Sequence, residues 1–140
     1  MESIALNRTV KVKIPAINPW YDTGLYLKKE CTYHFIVDPP NQTWKDGEIL
    51  KPFTAEGRTL PHLVALYPFI RMPFVKWFAL LGCINRNRQS YFKIGCKLEH
   101  YSPPEDGKLT CFANDALGFN DYFYKHNNSG FIELSVTRTH

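Results

Sequence analysis

Hydrophobic and polar positions alternate cleanly at both ends of the chain. Val10, Val12 and Ile14 interleave with Lys11 and Lys13, the period of two that marks a strand with one buried face. Near the other end Ile132, Leu134 and Val136 share one face, while Glu133, Ser135 and Thr137 share the other. This predicts a last strand over Phe131–Arg138. Between these ends, strands are predicted at Tyr21–Leu27, Cys31–Val37, Trp77–Ile84, Tyr91–Leu98 and Lys108–Asn114. Pro15 and Pro19 close the first strand, and Asp38-Pro39-Pro40 closes the third, because proline cannot donate to a ladder. Residues 38–62 read as one long loop and 115–130 as a polar loop. The apolar stretch 63–84 holds Pro68 and Pro73, which forbid a single long helix. Seven or so short strands with Pro/Gly turns predict an all-β fold, a two-sheet antiparallel β-sandwich. No internal repeat is visible.

At 140 residues the chain has the length of one domain, spanning 1–140. Its 15% aromatic content excludes a disordered chain and calls for a thick core or an exposed binding surface. Net charge is +4, with scattered basic residues, and this speaks against nucleic acid. Arg71, Lys76 and the prolines interrupt residues 59–84, so no transmembrane segment is predicted. Glu2 stands where a signal peptide would carry a basic residue, which predicts a cytoplasmic protein or one exported without a signal peptide. Cys31, Cys83, Cys96 and Cys111 form no Cys-x-x-Cys pair, and reduced, buried thiols are expected, with a Cys83–Cys96 bridge left open. The five histidines show no metal-binding spacing.

The stretch from Asn114-Asp115 through Asn127-Asn128-Ser129-Gly130 carries the most chemistry. Asp115 offers a carboxylate, and Asn127 and Asn128 offer amide oxygens, from the two ends of one loop. Calcium takes about six to eight such oxygens. Asp, Asn, Ser and Gly are also ordinary turn residues, so on composition both readings stand.

Ordered pieces of the chain resemble the bacterial galactophilic, calcium-dependent lectin family, small β-sandwiches of the Pseudomonas type. They are Asp22-Thr23-Gly24-Leu25, Lys29-Glu30-Cys31-Thr32-Tyr33, Thr43-Trp44-Lys45-Asp46-Gly47, Trp77 to Ile84, Ser102 to Leu109, and the Asn-rich loop. The resemblance implies a galactose-binding-like sandwich of jelly-roll type and a non-catalytic, glycan-binding function. It implies a Ca²⁺ ion held by the side chains of Asp115, Asn127 and Asn128, with backbone carbonyls near Gly47 and Phe119. Sugar hydroxyls would complete the coordination, with galactose the sugar implied. Asp115, Asn128, Trp44, Tyr122, Tyr124 and His126 are then the expected ligand-binding residues, the rings stacking on a sugar face. The chain departs from the family in a longer gap between Asp115 and Asn127 and in a hydrophobic, Pro-rich stretch at 48–75. Segment 60–78 is the expected interface of a homo-oligomer.

Two other readings follow from the residues. A calcium-independent, lectin-like adaptor that has lost sugar binding would bind a protein or membrane partner through the aromatic surface. A dimeric aspartic protease would use Asp22-Thr23-Gly24, with Leu80-Leu81-Gly82 as its later apolar-apolar-Gly stretch.

Overall fold

A computed structural model describes residues 2–48 and 50–140; Met1 and Ile49 lie outside the described residues. Two sheets pack face to face, the predicted β-sandwich. The first has the order β1-β3-β10-β7-β8, formed by β1 (Glu2–Ser3), β3 (Tyr21–Leu27), β10 (Gly107–Ala113), β7 (Leu80–Ile84) and β8 (Phe92–Lys93). The second runs β6-β5-β11-β4-β9, formed by β6 (Phe53–Thr54), β5 (Thr43–Asp46), β11 (Asn128–Arg138), β4 (Tyr33–Ile36) and β9 (Lys97–Tyr101). Strand β2 (Thr9–Pro15) pairs with β11 outside that order. All pairings are antiparallel except the short β1–β3 edge.

The alternation read from the sequence sets the register. Ile132 stands opposite Ile14, Leu134 opposite Val12 and Val136 opposite Val10. Ile14, Ile132, Leu134 and Val136 are completely buried. Burying each such side chain is worth roughly 1.5–3 kcal/mol, and slipping the register by one residue would expose the whole row. Phe35, Phe53, Phe78, Phe112, Trp44 and Tyr33 fill the space between the sheets. The aromatic excess is therefore largely core. All four cysteines carry free thiols, and no Cys83–Cys96 bridge forms. Among the described residues no helix is long and apolar enough to cross a membrane.

Several expectations need correction. The long loop at 38–62 contains β5 and β6, strands too short to show a period. The expected strand Tyr91–Leu98 is two, β8 and the start of β9, placed in different sheets. The strand Trp77–Ile84 begins only at Leu80. The polar loop after β10 contains a short 3₁₀ turn (Phe119–Asp121) and a single helical turn α1 (Tyr122–Asn127), and β11 begins already at Asn128.

Residues 61–77 form a strap across the end of the sandwich. Its 3₁₀ segment Pro61–Phe69 buries none of its side chains, so the strap depends on anchors. Asn114, at the end of β10, is the main one. Its Oδ1 accepts from Met72 N at 2.9 Å, and its Nδ2 donates to the carbonyls of Met72, Val75 and Lys76 at 3.0, 3.2 and 3.1 Å. A bridge between Ile70 and Ala116 then stitches the strap to the loop that follows β10.

Candidate functional site

The end of β10 and the paired ends of β5 and β11 bring Asp115, Asp46 and Asn128 to one place between the sheets. The β5–β11 register sets Asp46 directly opposite Asn128. Gly47, held at φ +74°, turns the chain away after β5, and its N–H donates to the Asn127 carbonyl at 2.8 Å. The first loop is thereby tied to the second. Asp115 is 2% exposed. Its Oδ1 accepts from Ala116 N at 2.8 Å, and its Oδ2 accepts from Asn128 Nδ2 at 3.1 Å. The same Nδ2 also donates to the Ala16 carbonyl at 3.1 Å. Asp46 Oδ2 accepts from the indole N–H of Trp77 at 2.8 Å.

The polar demand of this cluster is not met. Asn128 Oδ1 is buried without a hydrogen-bond partner. An orphaned buried acceptor costs roughly 1–3 kcal/mol. Burial, and then the nearby Asp46 charge, push the Asp115 carboxyl up to about 7. Burial also raises Asp46, against the bond from Trp77. A buried carboxylate, a half-buried one and a free amide oxygen thus lie together, and among the described residues no cationic side chain forms an ion pair with either carboxylate. Such a donor set is all oxygen, the set that a hard divalent cation takes. Among the described residues no group of three His, Cys, Asp or Glu side chains has a metal-binding arrangement.

Asp46 and Asp115 open on a cavity of about 470 Å³, within the usual range for small-molecule sites. Asp46, Asp115 and Asn127 supply its polar lining, and Leu66, Phe69, Trp77 and Phe123 its apolar lining. Gly118 completes one wall at φ +63°, and a Cβ there would stand 2.6 Å from the Phe123 ring. Phe78, the residue after Trp77, is a buried non-glycine at φ 64°, a conformation that costs on the order of 1 kcal/mol or more. Its N–H donates to the Asn114 carbonyl at 2.9 Å, which holds Trp77 at the cavity rim.

Of the residues expected from sequence, Asp115 and Asn128 meet at the centre, and Asn127 lies at the cavity wall. Gly47 joins the loops as described. Phe119 lies in the 3₁₀ turn, where its carbonyl accepts from Tyr122 N, and its ring points to solvent away from the cavity. Tyr122 and His126 are exposed on α1 and stack on each other at 4.5 Å, outside the cavity lining. Two expectations are overturned. Trp44 is a core residue, 1% exposed, and its indole N–H donates to the Phe78 carbonyl at 3.1 Å. Tyr124 is fully buried, donates to the Ala113 carbonyl and accepts from Arg71. Neither has a ring face open to a ligand. Asp22 is an exposed residue of β3 whose Oδ1 accepts from Gly24 N at 2.9 Å, a local turn contact within a sandwich rather than half of a carboxylate dyad.

Sequence reasoning passed over Asp46 and Trp77. Asp46 sits in the Thr43–Gly47 stretch that carries the family resemblance. Only the β5–β11 register, which sequence does not show, places it against Asn128.

Comparison with family models and with curated proteins finds no match. Comparison with solved structures does, and the likeness extends over nearly the whole domain. The chain superposes on the EclA N-terminal domain, a PllA-like lectin, with a TM-score of 0.64 and 20% identity, covering 91% of this chain and 94% of that one. The chain has the fold of a lectin domain.

Proposed function

We propose that the protein is a non-catalytic, lectin-like carbohydrate-binding protein whose site is the cavity over Asp46, Asp115 and Asn128. One observation carries this reading: the buried Asp115 and the half-buried Asp46 line an otherwise largely apolar cavity, and Asn128, whose Oδ1 is orphaned, is bonded to Asp115 just behind it. The shared lectin fold and the ordered sequence resemblance support it. The residues fit a calcium ion, with Asp46, Asp115 and Asn128 as side-chain holders and Asn127 at the wall. When bound, such an ion supplies a positive centre for vicinal sugar hydroxyls. Asp115 must shed its proton to serve, so affinity rises with pH through about 7. Trp77 fixes Asp46 through its indole N–H and, with Phe69 and Phe123, offers apolar surface to a sugar's C–H face. These rings take the stacking role expected of Trp44 and Tyr124. Galactose is the sugar the sequence resemblance favours.

A glycan array read with calcium and with EDTA tests this. Binding that is lost in EDTA and in Asp115→Ala is expected. A set of bound glycans unchanged by both treatments would overturn the cation-dependent reading.

A second reading has its own observation. Phe74 is fully exposed on the strap, and Val64, Phe69 and Phe119 are mostly exposed. Such surface suits an adaptor that docks a partner without calcium, or an interface between copies over 60–78. Calcium-independent capture of a partner, blocked by Phe74→Glu, would favour the adaptor; a change in sedimentation with Phe74→Glu would favour the oligomer.

A further inference from the structure

Across the Ile70–Ala116 bridge from the carboxylate cavity lies a second hollow of about 380 Å³, lined by Arg71, Arg88, Tyr91 and Leu117. Phe69 and Gly118 line both hollows, so the two are contiguous along one cleft. We propose that this second hollow is a subsite for an anionic substituent of a glycan, a carboxylate or a sulfate ester on the sugar next to the one held over Asp115. The inference rests on the carbohydrate reading of the first cavity.

Arg71 is the fixed element. Its guanidinium carbon lies 3.4 Å from the Phe112 ring centroid and 4.2 Å from that of Trp20. Nη1 donates to the Pro19 carbonyl and to the Tyr124 hydroxyl, the latter at 3.2 Å. Nε and Nη2 donate to the Tyr91 hydroxyl at 3.1 and 3.0 Å. Every one of these partners is neutral. The cation is positioned and half-desolvated, yet its charge is not cancelled.

Tyr91 extends that charge outward. Its hydroxyl oxygen receives two bonds from Arg71, and its own proton has no acceptor among the described residues, so it is left to donate into the hollow. A donor polarised by a guanidinium binds an anion more strongly than a neutral hydroxyl would. Arg88 is exposed at the rim, and Arg86 lies 5.7 Å from the Trp20 ring. Among the described residues Arg71, Arg86 and Arg88 form no ion pair. Asp115 is an acidic group within electrostatic reach of Arg71, which lowers it. A cation held in the first cavity would cancel it. The cleft is therefore negative at one end and positive at the other. A neutral sugar uses only the first end, whereas an acidic glycan uses both.

The test compares three oligosaccharides of one backbone: neutral, with a uronate at the neighbouring position, and with a sulfate there. Binding is measured by calorimetry with calcium present. The Arg71 Hε and Arg88 Hε resonances are followed with free glucuronate and free sulfate in EDTA. The expected result is tighter binding of an acidic oligosaccharide, by about tenfold, corresponding to one charge-assisted contact. Arg88→Gln, an exposed substitution that leaves the fold intact, should remove most of that gain and leave the neutral glycan unchanged. Whichever acidic form is preferred identifies the anion. Equal affinity for all three sugars, or an equal effect of Arg88→Gln on all, would overturn the subsite while leaving the carbohydrate reading standing. Glucuronate or sulfate shifting both arginine resonances, with no oligosaccharide bound in calcium, would keep the anion subsite and sink the carbohydrate reading. Binding to phosphatidylserine vesicles but to no soluble acidic sugar would overturn the proposal in favour of a membrane surface.

Discussion

Two charged groups stand back to back at the end of the sandwich, and they are treated in opposite ways. Arg71 is surrounded by the rings of Phe112, Trp20, Tyr91 and Tyr124, and its donors reach three oxygens. Asp115, linked to it through the Arg71 N–H that donates to the Asp115 carbonyl at 3.2 Å, is buried against a second carboxylate and an amide with a free oxygen. The arginine side is a finished structural element with surplus charge at its surface. The carboxylate side is an incomplete one. A buried acceptor left without a partner, beside a guanidinium whose donors are all engaged, points to a ligand that supplies what is missing.

The largest expected effect lies on the carboxylate side. In the unfolded chain Asp115 releases its proton near 3.8, and in the folded chain near 7. Between these values the folded state holds a proton the unfolded state has lost, so stability falls as pH rises. In EDTA the loss should be on the order of 4 kcal/mol between pH 4 and pH 8, read by urea denaturation. Asp46, raised in the same direction, adds to it. Asp115→Asn should flatten the curve, and calcium should reverse its slope above pH 7.

Next comes the arginine side. Arg71→Met keeps the stem but removes the charge that four rings and three oxygens surround. It should cost about 3 kcal/mol, with only a small increase from pH 5 to pH 8, because Arg71 is the last and weakest of the influences on Asp115 and lowers it. An increase of more than about 1.4 kcal/mol, a full unit on Asp115, would mean that Arg71 and Asp115 act as one pair, and the contrast between the two sides would fail.

Asn114→Ala cuts the strap loose from both. A loss of about 2 kcal/mol is expected, with proteolytic cleavage appearing within 61–76. Smallest of all is Tyr122→Ala, an exposed residue on α1. It should change stability by less than about 0.5 kcal/mol and leave glycan binding as it was.

The sandwich itself was legible because its long strands write their burial as alternation. Ile14 against Ile132 and Leu134 against Val12 are visible as patterns before they are visible as pairs. β5 and β6, of four and two residues among Pro, Gly and Asn, write nothing of the kind and vanish into a loop. Asp115 and Asn128 stood out because hard oxygen donors flank one loop. Asp46 did not, since its role comes from a pairing 82 positions away in sequence, Asp46 with Asn128. Trp44 and Tyr124 were misread for a related reason. An aromatic ring beside polar loop residues looks the same in sequence whether it faces solvent or the core. Arg71 carried no motif at all, and only the folded chain gathers its rings from residues 20, 91, 112 and 124.

The most direct test of the central claim is a calcium titration by calorimetry at pH 7.5 on the wild-type chain and on Asp46→Asn and Asp115→Asn. Saturable binding of one ion per chain, lost in both variants and weakened in wild type at pH 6, is the predicted result. No saturable binding to wild type, or binding that survives both substitutions unchanged, would contradict the account.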